Sequence, residues 1–153
     1  TVTPANSSSI SDGAAAMVLM RASQATKLGL APIARIVGHT THAGVPALFP
    51  SAPVGAMQKL FAKTGWTAES VDLYEINEAF AVVTMASLHD LKLDPAKVNI
   101  HGGACALGHP IGASGARILV TLLGALKKYG KKRGVASLCI GGGEATALAV
   151  EML

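Results

Sequence analysis

The 153-residue sequence has little charge, few aromatic residues and almost no cysteine. Charged residues make up 14% of the chain and aromatic residues 4%, whereas 50% of the residues are hydrophobic and 17 are glycine. Disordered segments combine low hydrophobicity with high charge, so this composition excludes a largely disordered chain. A chain of this length can bury its own core, and we therefore expect one globular domain.

The low number of cysteines and the lack of long apolar runs indicate where the protein is located. The only cysteines, Cys105 and Cys139, are too few for a disulfide framework, so we expect a reducing compartment and predict a cytoplasmic location. No uninterrupted apolar run reaches about 18 residues, the length that a membrane-spanning helix needs. We therefore expect no membrane partner.

Positive charge is concentrated in one short cluster. The net charge of +4 comes largely from five basic residues between positions 127 and 133. No aromatic residues interleave with them and no second basic stripe occurs, so a solvated turn is favoured over a nucleic-acid-binding surface. Attraction of an anionic ligand, such as a phosphorylated cofactor, stays open as a weaker interpretation.

Apolar residues recur with a period of two in some segments and 3.6 in others, a pattern typical of a layered α/β domain. Strands are predicted at residues 14–20, 33–37, 71–76, 98–101, 135–140 and 145–152. Helices are predicted at residues 21–28, 54–63, 78–91 and 110–128, with a loop at 39–53. The segment Gly141-Gly142-Gly143-Glu144 joins the last two strands and predicts a hairpin.

Three motifs each place a reactive or polar side chain at the end of a predicted strand, beside glycine or a helix start. They are Asn77-Glu78-Ala79-Phe80, the run 102–110 that contains Cys105 and His109, and Cys139-Ile140-Gly141-Gly142-Gly143. Open α/β sheets usually bind ligands at strand ends, so we expect the three motifs to converge on one site.

Each of these side chains has a structural interpretation beside the functional one. His109 is either a base near a helix start or a loop imidazole bonded to the backbone. Cys139 is either a thiol beside glycine N–H groups that can approach an oxyanion, or a buried core cysteine. For Asn77 the residue type alone favours a helix N-cap over a site amide, and Cys105 is expected in the core.

Two other classes of site are disfavoured by the spacing of their candidate residues. His39 and His42 form an H-x-x-H pair, and Cys105 precedes His109 by four residues. Zinc needs three or four ligands in recognised spacings, so we expect no metal. A serine hydrolase is poorly supported, because Gly112-Ala113-Ser114-Gly115-Ala116 lacks the final glycine of G-x-S-x-G.

Taken together, the three motifs resemble the thiolase family in their order and spacing. Asn77 and His109 are 32 positions apart, and His109 and Cys139 are 30 apart. The continuation 111–117, Ile-Gly-Ala-Ser-Gly-Ala-Arg, and the opening stretch 11–16, Ser-Asp-Gly-Ala-Ala-Ala, also resemble that family. The resemblance covers essentially the whole chain, and residues 1–153 are identified as a thiolase C-terminal domain.

The resemblance implies a fold and an activity. The expected fold is a three-layer α/β/α half-fold with a mixed five-stranded sheet. The expected activity is that of an acyl-CoA C-acyltransferase, which makes or cleaves 3-oxoacyl-CoA by a Claisen reaction, with a place in fatty acid metabolism. CoA and acyl-CoA are then substrates, and no separate cofactor is expected.

The resemblance also implies a role for each site residue. Cys139 is the acid/base cysteine, and a thiol suits this role because its pKa can be tuned toward neutrality. His109 activates a nucleophilic cysteine and helps bind the thioester oxygen, while Asn77 holds a water of the same oxyanion hole. The N–H of Gly141 contributes to a second oxyanion hole. The residues expected to bind substrate are Ala79, Phe80 and Met57.

The family's nucleophilic cysteine lies in an N-terminal half, and neither cysteine of this chain stands in a matching context. The chain is therefore predicted to need that half as its partner for the ping-pong cycle and to expose an apolar face toward it. The resemblance also implies a homotetramer or dimer. Two alternatives stay open, a non-catalytic binding or assembly module and a related ketoacyl synthase. The synthase would have a second His or an Asn in place of Cys139.

Two local departures from the family pattern bear on substrate binding. Glu144-Ala145 follows the triple glycine where many members have an uncharged residue and then glycine. Met57 stands where many short-chain members have a serine near CoA. Both departures concern the affinity for CoA and the acyl length, and neither concerns the reaction class.

Overall fold

One sheet of four strands forms the centre of the structure, a computed structural model that describes residues 1–153. In chain order the elements are α1 (Ala22–Lys27), β1 (Ala34–Ala43), α2 (Ala52–Thr64), β2 (Leu73–Ile76), α3 (Ala81–Leu91), α4 (Ala104–Leu107), α5 (Ser114–Lys128), β3 (Arg133–Ile140) and β4 (Glu144–Met152). Short 3-10 turns lie at Pro4–Asn6, Pro46–Ser51 and Pro95–Lys97. None of the helices has both the length and the hydrophobicity to cross a membrane.

The sheet is mixed, as predicted. Its strand order is β1-β4-β3-β2. β4 pairs antiparallel with both β1 and β3, whereas β2 pairs parallel with β3. The predicted hairpin between β3 and β4 is confirmed, with Cys139 opposite Ala145 and Ile140 opposite Glu144.

Helices cover both faces of the sheet, which confirms the three-layer architecture. Because successive strand residues point to opposite faces, Leu73 packs in the cluster on the α5 side and Tyr74 in the cluster on the α2 side. The α5 cluster is built mainly from Ile118, Leu119, Leu122, Leu126, Leu73 and Ala136. The α2 cluster includes Met57, Leu60, Val71, Tyr74, Ile76, Val135 and Cys139.

The strand predicted at residues 98–101 is not formed, and the side chain of Asn99 pairs with the edge of β2 in its place. Val98 forms a single parallel bridge with Tyr74, and the chain then turns at Asn99, which has a positive φ of 48°. The Asn99 amide Nδ2 donates to the carbonyl of Ile76, and its Oδ1 accepts from the N–H of Ile76, both at 2.8 Å. The amide thus occupies the hydrogen-bonding groups that a fifth strand would have used.

The buried strand expected at residues 14–20 is not formed. The segment has no regular secondary structure, and Val18 and Leu19 are 87% and 64% exposed. The pattern of small and apolar residues is that of a strand, but no other strand of this chain lies alongside it to supply backbone partners. The segment instead adds to the apolar surface that the resemblance predicts.

Three other predicted boundaries were wrong, two because of contacts distant in sequence and one because of a local turn. β1 continues to Ala43 within the expected loop, since β4 pairs with it as far as Glu144. α3 begins at Ala81 and not at residue 78, because the preceding segment is held extended by a bridge between Phe80 and Ser7. α5 begins at Ser114 and not at residue 110, after a turn in which the Pro110 carbonyl accepts two N–H groups.

Replacing Asn99 tests the account of the missing fifth strand. Asn99→Ala is expected to lower the free energy of unfolding by about 2–4 kcal/mol, because it leaves two buried groups of Ile76 unpaired and places alanine at a positive φ. Urea denaturation measures this loss. Asn99→Gly tolerates the positive φ but also lacks the amide that pairs with Ile76, so it is expected to remain destabilised. A glycine variant as stable as the wild type would show that the side-chain bonds contribute nothing.

Candidate active site

Parallel pairing of β2 with β3 brings two of the three motifs to one edge of the sheet. Asn77 follows the last residue of β2, and Cys139 is the penultimate residue of β3. The N–H of Asn77 donates to the carbonyl of Ser137 at 2.9 Å, which fixes the register of the two strand ends. The predicted convergence at strand ends is therefore observed for these two residues.

His109 reaches the same edge through a turn after α4. Gly108 has a φ of 93°, and a Cβ at that position would collide with the hydroxyl of Ser11. The N–H of His109 donates to the carbonyl of Ser9 at 2.9 Å. Position 108 thus requires glycine for two reasons, its positive φ and the close approach of the N-terminal segment.

Residues 7–11 hold two of the motifs together, a feature that sequence reasoning missed. Ser7 bridges Phe80 and Ile10 bridges His109, while the Ser8 N–H donates to the carbonyl of Ala79 at 3.1 Å. The segment has no periodicity or motif that signals this contact. Its partners lie about 70 and 100 positions further along the chain.

The hydrogen bonds of His109 define which ring nitrogen faces the site. Nε2 lies 3.4 Å from Nδ2 of Asn77, and Nδ1 lies 2.5 Å from Oγ of Ser114. When the Ser114 hydroxyl donates to the carbonyl of Pro110 at 3.1 Å, its oxygen accepts from the Nδ1–H of His109, and the tautomer is assigned on this hydrogen bond. In this tautomer of the neutral ring, Nε2 carries no proton and can act as a base.

The electrostatic environment also favours the neutral form of His109. Burial lowers the pKa of the imidazole below its ordinary value, and the positive charge of Arg117 lowers it further. His109 is therefore uncharged near neutral pH. Ser114 was weighed in the sequence only as a candidate hydrolase serine, but its position five residues after His109, on the first turn of α5, makes it the orienting partner.

Asn77 does not cap a helix. The N-cap interpretation was wrong, because α3 starts at Ala81 with Phe80 in the capping position. Asn77 is 1% exposed, and its Oδ1 is buried without a hydrogen-bond partner in the protein. Such a group is costly to leave unpaired, so the carbonyl oxygen marks a place where an external donor would be stabilised.

Cys139 is buried at the end of β3 in the α2 cluster, and it is a free thiol. Burial raises the pKa of the Cys139 thiol above its ordinary value, whereas the sequence reasoning anticipated tuning toward neutrality. The side-chain hydrogen bonds of His109 go to Asn77 and Ser114, and none joins it to Cys139. Within this chain the raised pKa favours the protonated thiol, and no hydrogen bond links it to His109.

The glycine turn after Cys139 presents backbone donors. Gly143 has a φ of 102°, and a Cβ there would lie 2.7 Å from the carbonyl oxygen of Gly44. Gly143 also accepts the N–H of Gly44 at 2.9 Å, which anchors the turn against β1. Gly141 is exposed, and its N–H donates to no backbone carbonyl. It is therefore available to a ligand.

The predicted substrate-binding residues belong to the same apolar cluster as Cys139. Ala79 and Phe80 are partly buried against that cluster, and the Phe80 ring meets Phe49 edge-on with 6.0 Å between centroids. Met57 has no exposed surface. It packs behind the others and offers no surface to a ligand within this chain.

Cys105 lies beside the site and is tied to Glu78. Its N–H donates to the Glu78 carboxylate at 3.3 Å, and its Sγ lies 3.5 Å from the Glu78 carbonyl. The same carboxylate accepts from Nδ2 of Asn99 at 2.9 Å. Cys105 is half-buried and belongs to neither core cluster, so the expected core position is not what the structure shows. No group of three or more His, Cys, Asp or Glu side chains is arranged to hold a metal.

The chain is similar to known acyltransferases over nearly its whole length. Acetyl-CoA acetyltransferase, cytosolic, of Mus musculus is 54% identical over 151 residues, which are 99% of this chain and 38% of that protein. Acetyl-CoA acetyltransferase 1 of Arabidopsis thaliana is 54% identical over 152 residues, 99% of this chain and 37% of that protein. The chain thus spans less than two-fifths of the length of these relatives.

Solved structures give the same result. The Bacillus anthracis acetyl-CoA acetyltransferase superposes with a TM-score of 0.97 at 46% identity, over 99% of this chain and 39% of that one. The Acat5 thiolase of Ascaris suum, solved in complex with coenzyme A, superposes with a TM-score of 0.90 at 41% identity, over 100% of this chain and 40% of that one. The family model "Thiolase, C-terminal domain" matches residues 30–152. By sequence, fold and site, the chain belongs to the thiolase family and carries its C-terminal domain.

Proposed function

We propose that this chain is the C-terminal catalytic part of an acetyl-CoA C-acyltransferase that condenses acetyl-CoA or cleaves 3-oxoacyl-CoA with CoA. The observation that carries the proposal is the edge shared by Asn77, His109 and Cys139, where His109 presents an unprotonated Nε2. The names of the relatives, acetyl-CoA acetyltransferases, support the reaction class.

His109 acts first, on a nucleophilic cysteine supplied by an N-terminal domain. Its Nε2 takes the proton of that thiol, and the resulting thiolate attacks the thioester carbonyl of acyl-CoA. The carbonyl oxygen becomes an oxyanion, and donors beside it stabilise the negative charge. His109 itself, then protonated, and a water held by Asn77 supply these donors. The tetrahedral intermediate collapses with release of the CoA thiolate.

Cys139 acts first as an acid and then as a base. The raised pKa of its buried thiol means that it enters the cycle protonated, so it can give its proton to the departing CoA thiolate. The Cys139 thiolate formed in this way then removes the α-proton of a second acetyl-CoA. The carbanion attacks the acyl-enzyme carbonyl, whose oxyanion the N–H of Gly141 stabilises. This second intermediate collapses by breaking the bond to the nucleophilic cysteine, and the released thiolate takes back the proton that His109 holds. Thiolysis is the same sequence reversed.

Binding groups for the substrate extend from these residues. Ala79 and Phe80 line the acyl pocket, with Met57 behind them in the same apolar cluster. CoA is a substrate in this scheme and no separate cofactor takes part. The complex of the Ascaris suum relative with coenzyme A supports this choice of ligand.

An N-terminal thiolase domain is the proposed partner of residues 1–153. The exposed apolar segment 14–20 and other exposed side chains, such as Leu28, Leu30 and Ile33, supply a surface that such a domain can cover. We further propose a homotetramer or dimer, a cytoplasmic location and a role in fatty acid metabolism. The name of the Mus musculus relative, which is cytosolic, supports the location.

Substitution of the proposed acid/base groups tests this function. In a chain that joins residues 1–153 to a thiolase N-terminal domain, His109→Ala and Cys139→Ala are each expected to slow acetoacetyl-CoA thiolysis by about 10²-fold or more, the scale of losing a general acid or base. Cys105→Ala is the matched control and should retain near-wild-type rates, because the hydrogen bond of its Sγ goes to the backbone carbonyl of Glu78 and not to a proposed catalytic side chain. If His109→Ala and Cys139→Ala were as fast as Cys105→Ala, the acid/base roles of His109 and Cys139 would be contradicted.

The protonation state of Cys139 can be tested in the 153-residue chain itself. Because burial raises the pKa of this thiol, alkylation by iodoacetamide should be slow at neutral pH and should accelerate as the pH rises into the alkaline range. Mass spectrometry of the Cys139 peptide reports the rate, and the urea-unfolded chain gives the reference. Faster alkylation of the folded than of the unfolded chain at pH 7 would mean a preformed thiolate, contrary to the acid-first role.

A further inference from the structure

A buried ion pair joins β2 to α5 near the candidate active site. Oε2 of Glu75 is 3.4 Å from Nη1 of Arg117, and the same Nη1 is 3.4 Å from Oγ1 of Thr121. Glu75 is 2% exposed, and the Arg117 side chain is mostly buried. Replacing a buried ion pair by apolar side chains is often neutral or stabilising. Stability alone therefore does not account for charges at this position.

Each residue of the pair lies close in sequence to one of the two hydrogen-bond partners of His109. Glu75 precedes Asn77 by two residues on β2 and its end, so both side chains lie on the face covered by α5. Arg117 follows Ser114 by three residues on α5, so these two side chains share one face of the helix. Asn77 and Ser114 are the two hydrogen-bond partners of the His109 ring.

We propose that Arg117 and Glu75 are positioning residues for His109. Their pair joins β2, which leads into Asn77, to α5, which carries Ser114, and these two residues are the hydrogen-bond partners of the imidazole. The inference rests on the proposed function, because it concerns the base that acyl transfer uses.

Burial and the positive charge of Arg117 on α5 both lower the pKa of His109. On β2, burial raises the pKa of Glu75 to about 7, against the opposing effect of Arg117 and with a contribution from Glu78 on the following loop. Arg117 thus acts on the histidine and on the carboxyl group from one position.

The same property of Glu75 makes a test by substitution practicable. When Arg117 is replaced by methionine, Glu75 can take up a proton and need not remain as an isolated buried charge. The matched variant Arg117→Lys keeps the positive charge but loses the planar fork. Arg133 is the control position, because it lies at the opposite end of β3 from Cys139 and pairs with Glu151.

The experiment is an NMR titration of histidine Cε1–H in the 153-residue chain, with the His109 signal assigned from its absence in His109→Gln. Arg117→Met is expected to shift the pKa of His109 upward, whereas Arg117→Lys and Arg133→Met leave it close to the wild-type value. An unchanged pKa in Arg117→Met, or an equal shift in the Lys and Met variants, overturns the inference. If Arg117→Met does not fold, the double variant Arg117→Met with Glu75→Gln, which carries no unpaired carboxyl group, gives the same comparison.

A kinetic arm separates this inference from the proposed function. In the chain joined to a thiolase N-terminal domain, Arg117→Met is expected to lower kcat for thiolysis by about tenfold or more, with little change in KM and with the acid limb of the pH profile moved to higher pH. Arg117→Lys should restore the limb. If the wild type is active and Arg117→Met has the same pH profile, only the inference about Arg117 is contradicted. A wild type that catalyses no acyl transfer contradicts the proposed function, and the NMR titration still decides the effect of Arg117 on His109.

Discussion

The parallel pairing of β2 with β3 is the constraint on which the rest of the site depends. Parallel strands end at the same edge of a sheet, so the pairing places Asn77 and Cys139 together although they are 62 positions apart. It also requires a crossover between the strands, and the crossover contains α5. The first turn of α5 then delivers Ser114 to the same edge and orients His109.

Burial at this edge affects the two reactive groups in opposite directions with a common result. It lowers the pKa of His109 and raises the pKa of Cys139, so both side chains are held in their uncharged forms. A neutral imidazole can accept a proton and a neutral thiol can donate one. Burial therefore favours the starting protonation states that the proposed acyl transfer requires, and the charge of Arg117 adds to the effect on His109.

What the sequence could predict is what local patterns encode. The helical spacing of Ile118, Leu122 and Leu126 predicted α5, the triple glycine predicted the β3–β4 hairpin, and two of the three motifs predicted residues at strand ends. The misses involve distant partners. Asn99 replaces a strand with its amide, and residues 7–11 hold the loops of Asn77 and His109. The apolar segment 14–20 has the pattern of a strand but no neighbour in this chain. None of these depends on nearby residues, so periodicity could not reveal them.

The tautomer of His109 is the most direct test of the claim that this chain alone prepares a base at the sheet edge. It can be measured from the ¹⁵N chemical shifts of the imidazole nitrogens in the folded 153-residue chain at neutral pH. The hydrogen bonds through Ser114 to the Pro110 carbonyl predict a protonated Nδ1 and an unprotonated Nε2. A protonated Nε2, in either the neutral or the charged ring, would contradict the account.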